Sequence, residues 1–247
     1  MLSDRKIEKL EREFGANANF LADRGKLDPA VATIAKNLHR YRNGLYHRLQ
    51  LRKEVLRPAT YVYFDVACSV LATWTFQRSW SSEEAYEDLA RFGVTQYDLF
   101  ENDVTNRVAS HLRASVGIDL ASARTALIDH LNSRLDDLDE VISQIRAVMP
   151  EEYGDPGDVF RIVQSNWKER LLPPAELRDR HFPTSERMLQ LWRRETRSLA
   201  DIADRYTMYA RYATVEDALQ KFEQQASDLH ETIERAVELA IDEERGR

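Results

Sequence analysis

From Val215 to Ala240 apolar residues recur in alternating steps of four and three: Val215, Leu219, Phe222, Ala226, Leu229, Ile233, Ala236 and Ala240. Only a helix brings those positions onto one face, and strict alternation is the seam of a packed helix pair. The period recurs elsewhere. Leu131, Leu135, Leu138, Ile142, Ile145 and Met149 step mostly by three and four within 120–149. Met188, Trp192, Leu199, Ile202, Tyr206 and Tyr209 share a stripe in 185–211, and Val31, Ile34, Ala35 and Leu38 share one after Pro29. With 8 glycines and 7 prolines in 247 residues, the chain lacks the turn residues of a β-rich fold. The pattern predicts an all-α protein, a helical bundle followed by long helices that form a bundle or coiled coil. The seam of 214–244 fits an antiparallel pair inside one chain or an oligomeric coiled coil.

Punctuation divides the pattern. Residues 3–14 read as a short amphipathic helix and "GANANFLADRGKL" as a looser joint. Asp28 caps a helix with Pro29 in its first turn. Asn43-Gly44 is a weak point in that helix. Pro58 bends or restarts the next, and 59–78, apolar nearly all round, is expected to be central. Periodicity resumes over 97–115, and Gly117 and Asp119 mark a stop and a new cap. "PEEYGDPGD", 150–158, reads as a linker or long loop, and "LLPPAELRDRHFP" as a second irregular joint. The division expected is 1–80, 81–149 as a helical extension that can complete the first part, and 159–247 as the C-terminal long helices.

Several classes are disfavoured. Cys68, the single cysteine, sits in the apolar run "VYFDVACSVLATW" and reads as a small core residue. No Cys/His cluster has metal-ligand spacing, and neither metal nor cofactor is expected. "MLSDRKIEKLEREFG" carries no secretory apolar region, and no apolar run approaches about 18 residues. A cytoplasmic protein without a membrane span is the expectation. Gly-rich phosphate loops, G-x-S-x-G, H-E-x-x-H and Cys-x-x-Cys are absent. Asp136-Asp137 reads as a solvated face.

Net charge is −7, but it is uneven. Between Lys36 and Arg57 seven bases face one acid, Glu54, so this stretch carries +6 and the remainder −13. Within it lies "RYRNGLYHR", residues 40–48. Arg42 and His47 have the chemistry for cutting RNA without a metal. A histidine can move a proton to or from the 2′-hydroxyl or the leaving 5′-oxygen. An arginine can hold the phosphate and stabilise the charge of the transition state. Asn43 can orient either group. Arg40, Arg48 and Arg52 would attract the RNA backbone, and Tyr46 or Tyr41 could stack on a base. The spacing alone selects little: Arg five before His is expected roughly 0.7 times by chance in such a chain. In an unbroken helix the two positions lie about 140° apart, so convergence needs a break at Asn43-Gly44 or a second chain.

The surrounding residues narrow the reading. "GKLDPAVATIAKNLHRYRNGLYHR" resembles the HEPN family of helical domains, in which a "G-φ-φ-D"-like turn (φ apolar) leads into R-N-x-x-x-H. The matching pieces are Gly25, Leu27 and Asp28, then Arg42-Asn43, then His47. The resemblance covers roughly residues 1–80. It implies a HEPN-like bundle that homodimerises, bringing two motifs into one composite cleft. It also implies a metal-independent endoribonuclease of toxin–antitoxin, abortive-infection or antiviral defence type. Arg42 and His47 would then be catalytic, with Asn43 in support. RNA is the implied substrate, and an antitoxin or activating protein the implied further partner. Only about 40 residues precede the motif, fewer than the family usually has, so either the bundle is minimal or helices after residue 80 complete it.

The competing reading is a non-catalytic helical adaptor that binds nucleic acid or a partner protein. His39 reads as a solvated face or an RNA contact. His111, His130, His181 and His230 read as surface or seam residues. Trp74, Trp80, Trp167 and Trp192 read as core. "RDRHF", 178–182, is a second basic cluster that could extend an RNA-binding surface.

Overall fold

The computed structural model describes residues 13–48, 53–73, 90–94, 104–117 and 119–245; for 44–48, 53 and 54 it describes the backbone alone. Among these residues the regular structure is entirely helical. The α-helices are α1 (Phe14–Asp23), α2 (Pro29–Arg48), α3 (Lys53–Thr73), α4 (Val104–Val116), α5 (Leu120–Ala147), α6 (Asp158–Gln164), α7 (Pro174–Arg178), α8 (Glu186–Ser198) and α9 (Arg205–Arg245). Short 3₁₀ turns lie at Glu151–Tyr153, Glu169–Leu171 and Leu199–Asp201. No described helix is long and apolar enough to cross a membrane. The chain forms two compact units, Met1–Leu127 with Asp204–Ala210, and Ile128–Ala203 with Arg211–Arg247.

In the first unit the cap residues act as their chemistry dictates. Asp28 Oδ1 accepts from the Ala30 amide at 2.7 Å and the Val31 amide at 3.3 Å, and Pro29 starts α2. Gly25, at φ 64°, ends α1: its amide reaches the Ala22 carbonyl and the Lys26 amide the Leu21 carbonyl. Gly117, at φ 59°, ends α4, and Asp119 Oδ1 caps α5 through the Ser122 amide. Helix α1 occupies the stretch expected to be a joint. Gly15 falls in its first turn, while Phe14, Ala18 and Leu21 supply a helical period, with Ala18 buried. The helix expected over 3–14 lies almost wholly outside the described residues.

Helix α1 packs on α2, α2 on α3, and α3 most extensively on α4. Val31, Ile34 and Leu38 of α2 and Val55, Val62, Val66 and Cys68 of α3 are all buried. Burial pushes the Cys68 thiol pKa up, in keeping with a core residue. Pro58 sits inside α3 without ending it. The carboxylate of Asp65, 1% exposed, ties three segments together. It pairs with Arg113 Nε at 2.9 Å and Arg205 Nε at 3.0 Å, and Arg113 also donates to the Tyr206 hydroxyl. Burial raises the Tyr209 hydroxyl to about 12.

The second unit is built on seams. Leu131, Leu135, Leu138, Ile142 and Ile145 of α5 and Leu219, Phe222, Ala226 and Leu229 of α9 are all buried. Phe222 stacks on Phe160 at 5.8 Å and meets Trp192 at 6.5 Å, joining α6 and α8 to α9. Arg134, also buried, bonds Glu216 at 2.9 Å and Glu223 at 2.8 Å. Two expectations are corrected. The stripe of 185–211 is not one helix: buried Leu199 anchors a 3₁₀ turn, and Asp204 starts a new helix by accepting the Thr207 amide at 2.7 Å. The expected boundary near 212–213 does not exist, because nothing in "YARYATVEDA" interrupts a helix, and α9 runs through it for 41 residues.

Candidate functional site

Helix α2 carries the basic stretch. Asn43-Gly44 does not break it: the backbone is helical from Pro29 to Arg48. A glycine in a helix interior costs about 1 kcal/mol relative to alanine, a penalty that flanking turns and packing can offset. Positions 42 and 47 therefore lie about 140° apart around one axis. The two positions do not share a face of this helix.

The buried stripe of α2 leads to Arg42. Leu38 lies four residues before it and Val31 seven before Leu38, so Arg42 continues the same face. Yet Leu38 is buried and Arg42 is exposed. The inner face of the helix thus opens one turn after its last core residue, and a guanidinium stands at the opening.

Asn43 is half-buried, and its Nδ2 lies 3.0 Å from His39 Nε2, one turn back. With Nδ2 donating, His39 accepts on Nε2 and carries its proton on Nδ1. The His39 ring is also stacked on Phe14 of α1, with centroids 4.5 Å apart and planes 18° from parallel. Asn43 is therefore oriented by a histidine that is itself held by an aromatic ring. The i, i+4 spacing of His39 and Asn43 was visible in the sequence; the Phe14 contact needed the α1–α2 packing.

Arg40 and Tyr41 are half-buried on the same helix. His47, Tyr46 and Arg48 lie on its last turn, with only their backbone described, and Arg52 lies outside the described residues. Trp74 and Trp80 are also outside them. Trp192 is buried as expected, whereas Trp167 is 68% exposed, on the turn between α6 and the 3₁₀ turn at Glu169–Leu171. The cluster 178–182 is spent on internal pairs. Arg178 grips the fully buried Asp158 at 2.5 Å, and Arg180 pairs with Glu169 at 2.6 Å. Comparison with known proteins finds no matching family model, no matching curated protein and no matching solved structure.

Proposed function

We propose that this chain is a metal-independent endoribonuclease of HEPN type, working as a homodimer in which α2 of each copy lines one cleft. The observation that carries the reading is the exposed Arg42 beside an Asn43 held by His39, on a helix that carries Lys36, Arg40, Arg42 and Arg48 and no acid. In the proposed reaction the RNA 2′-hydroxyl attacks the adjacent phosphorus and the bond to the 5′-oxygen breaks. The products are a 2′,3′-cyclic phosphate and a 5′-hydroxyl. His47 moves the proton, Arg42 stabilises the phosphorane charge, and Asn43 orients them. Arg40, Tyr46, Arg48 and Arg52 are the proposed RNA contacts.

The unbroken helix supports a second copy, since positions 42 and 47 do not share a face of it. Helix α3, which follows the motif, offers a surface for it. Leu56, Thr60, Tyr63, Ala67 and Val70 step by four and three along its exposed face, with Leu56 at 48%, Tyr63 at 62% and Val70 at 40%. The stripe carries no charge, so two copies can face each other without repulsion. The resemblance to HEPN proteins extends the proposal to a toxin or antiphage defence role in the cytoplasm, with an antitoxin or activator as further partner.

The test is purified protein with end-labelled RNA in EDTA, comparing wild type, Arg42→Ala and His47→Ala. The proposal expects cleavage by wild type alone, with cyclic-phosphate ends. Intact RNA with every protein, together with binding that survives His47→Ala, would favour a non-catalytic adaptor.

A further inference from the structure

The side-chain amide of an asparagine turns about a broad, roughly two-fold torsion, so left alone it offers either its carbonyl or its amino end to a given side. At Asn43 a neighbour makes the choice. Nδ2 lies 3.0 Å from His39 Nε2. A neutral imidazole with its proton on Nδ1 is an acceptor at Nε2, which takes an N–H and rejects a carbonyl. The amino end of Asn43 is thus turned to His39 and the carbonyl oxygen away from it.

His39 can act in this way because another helix fixes its ring. The ring stacks on Phe14 of α1. Helix α1 is in turn seated on α2 by buried Ala18 and by Lys36 Nζ, which donates to Asn19 Oδ1 at 2.8 Å. Lys36 lies three residues before His39, on the adjoining turn. Phe14 is 45% exposed and His39 half-buried, so the stack lies at the rim of the α1–α2 contact, one turn before the exposed Arg42.

The end of the amide that His39 leaves open limits what Asn43 can do. A carbonyl oxygen accepts, and so does a phosphate oxygen, so the two do not bond to each other. The carbonyl can hold an N–H, and the proposed site supplies such groups on the Arg42 guanidinium and the His47 ring. We infer that His39 is a positioning residue: it selects the end of the Asn43 amide offered to the site, where Asn43 accepts from a catalytic N–H and is not a phosphate contact. This deepens the ribonuclease reading and rests on it.

Two variants separate the acceptor from the ring. His39→Phe keeps a ring to stack on Phe14 and removes the acceptor, whereas His39→Gln removes the ring and keeps an acceptor oxygen one turn from Asn43. In the RNA assay with EDTA, His39→Phe should lower kcat about tenfold or more with KM near wild type. His39→Gln should keep most of the rate, and His39→Phe should change nothing further in an Asn43→Ala background. The reverse order, with His39→Phe active and His39→Gln impaired, would make the ring a packing group and overturn the inference. So would a rise in KM alone, which would make Asn43 a substrate contact.

A second measurement needs no cleavage. With histidine-selective nitrogen labelling in mildly alkaline buffer, the ring-nitrogen NMR shifts of wild-type His39, identified by their loss in His39→Gln, should show the proton on Nδ1. That form should give way in Asn43→Ala. A wild-type His39 carrying its proton on Nε2 would overturn the inference whether or not RNA is cut. The Nδ1 form in a wild type that leaves RNA intact would instead overturn the ribonuclease reading and uphold the selection of the Asn43 amide by His39.

Discussion

Two short basic clusters, residues 40–48 on α2 and residues 178–182 at the end of α7, differ in the acids near them in sequence. Around the second, carboxylates are at hand: Arg178 closes on Asp158, which Arg161 also reaches at 3.0 Å, and Arg180 closes on Glu169. The same holds for Arg193, which joins Asp136 and Asp139 of α5, and for Arg134 between Glu216 and Glu223. In the second unit arginine is a building material. Around the first cluster the local sequence offers one acid among 22 residues, and Arg42 emerges where the core ends. The second cluster is thus built into its unit by carboxylates from elsewhere in the chain, whereas the sequence around the first is poor in acids.

The largest effect that would break this contrast lies in catalysis. His47→Ala and Arg42→Ala should each lower RNA cleavage by about 10²- to 10⁴-fold, read from initial rates in EDTA, with unchanged melting temperature. A drop in melting temperature matching the loss of rate would make the first cluster structural as well.

The reverse is expected inside the second unit. Arg134→Ala removes the pairs to Glu216, 1% exposed, and Glu223 and should cost about 3–5 kcal/mol in denaturant unfolding. Cleavage per folded molecule should hold.

Acid sharpens the same point. Hydrogen bonding from Arg178 holds the Asp158 carboxyl below its ordinary value, despite the opposing effect of burial. Its folded pKa is then lower than its unfolded one. The stabilisation is full above about pH 4, the unfolded value, and is lost as pH falls through the folded value. Melting temperature measured across that window should fall more steeply for wild type than for Asp158→Asn.

Smaller effects complete the series. Asn43→Ala should slow cleavage less than His47→Ala, because the role proposed for Asn43 is to position rather than transfer; equal losses would move it into the chemistry. Arg180→Ala removes an exposed pair and should leave both melting temperature and cleavage near wild type.

Much of the helical framework was legible because its signals are local. Asp28-Pro29, Gly25, Gly117 and Asp119 act within a few residues of themselves, and the seam of α5 needs only its period. Other features depended on distant neighbours. Helix α1 hid behind Gly15, whose local cost its packing on α2 outweighs. The 3₁₀ turn at 199–201 depends on Leu199 finding a buried seat. Trp167 looked like core by residue type, yet the turn carrying it faces water. For the candidate site, sequence named Arg42, Asn43 and His47, but not the ring of Phe14 that holds His39 beside Asn43.

The sequence by itself determined that the chain is helical, where most of its caps fall, and that bases concentrate in residues 36–57. Period, cap chemistry and charge count are properties of neighbours along the chain. Only the tertiary structure decided which half of the α9 seam is covered, which arginines are consumed by carboxylates, and that α2 passes unbroken through Gly44. Those outcomes depend on what residues far apart in sequence bring to one another, and a one-dimensional period carries no record of that.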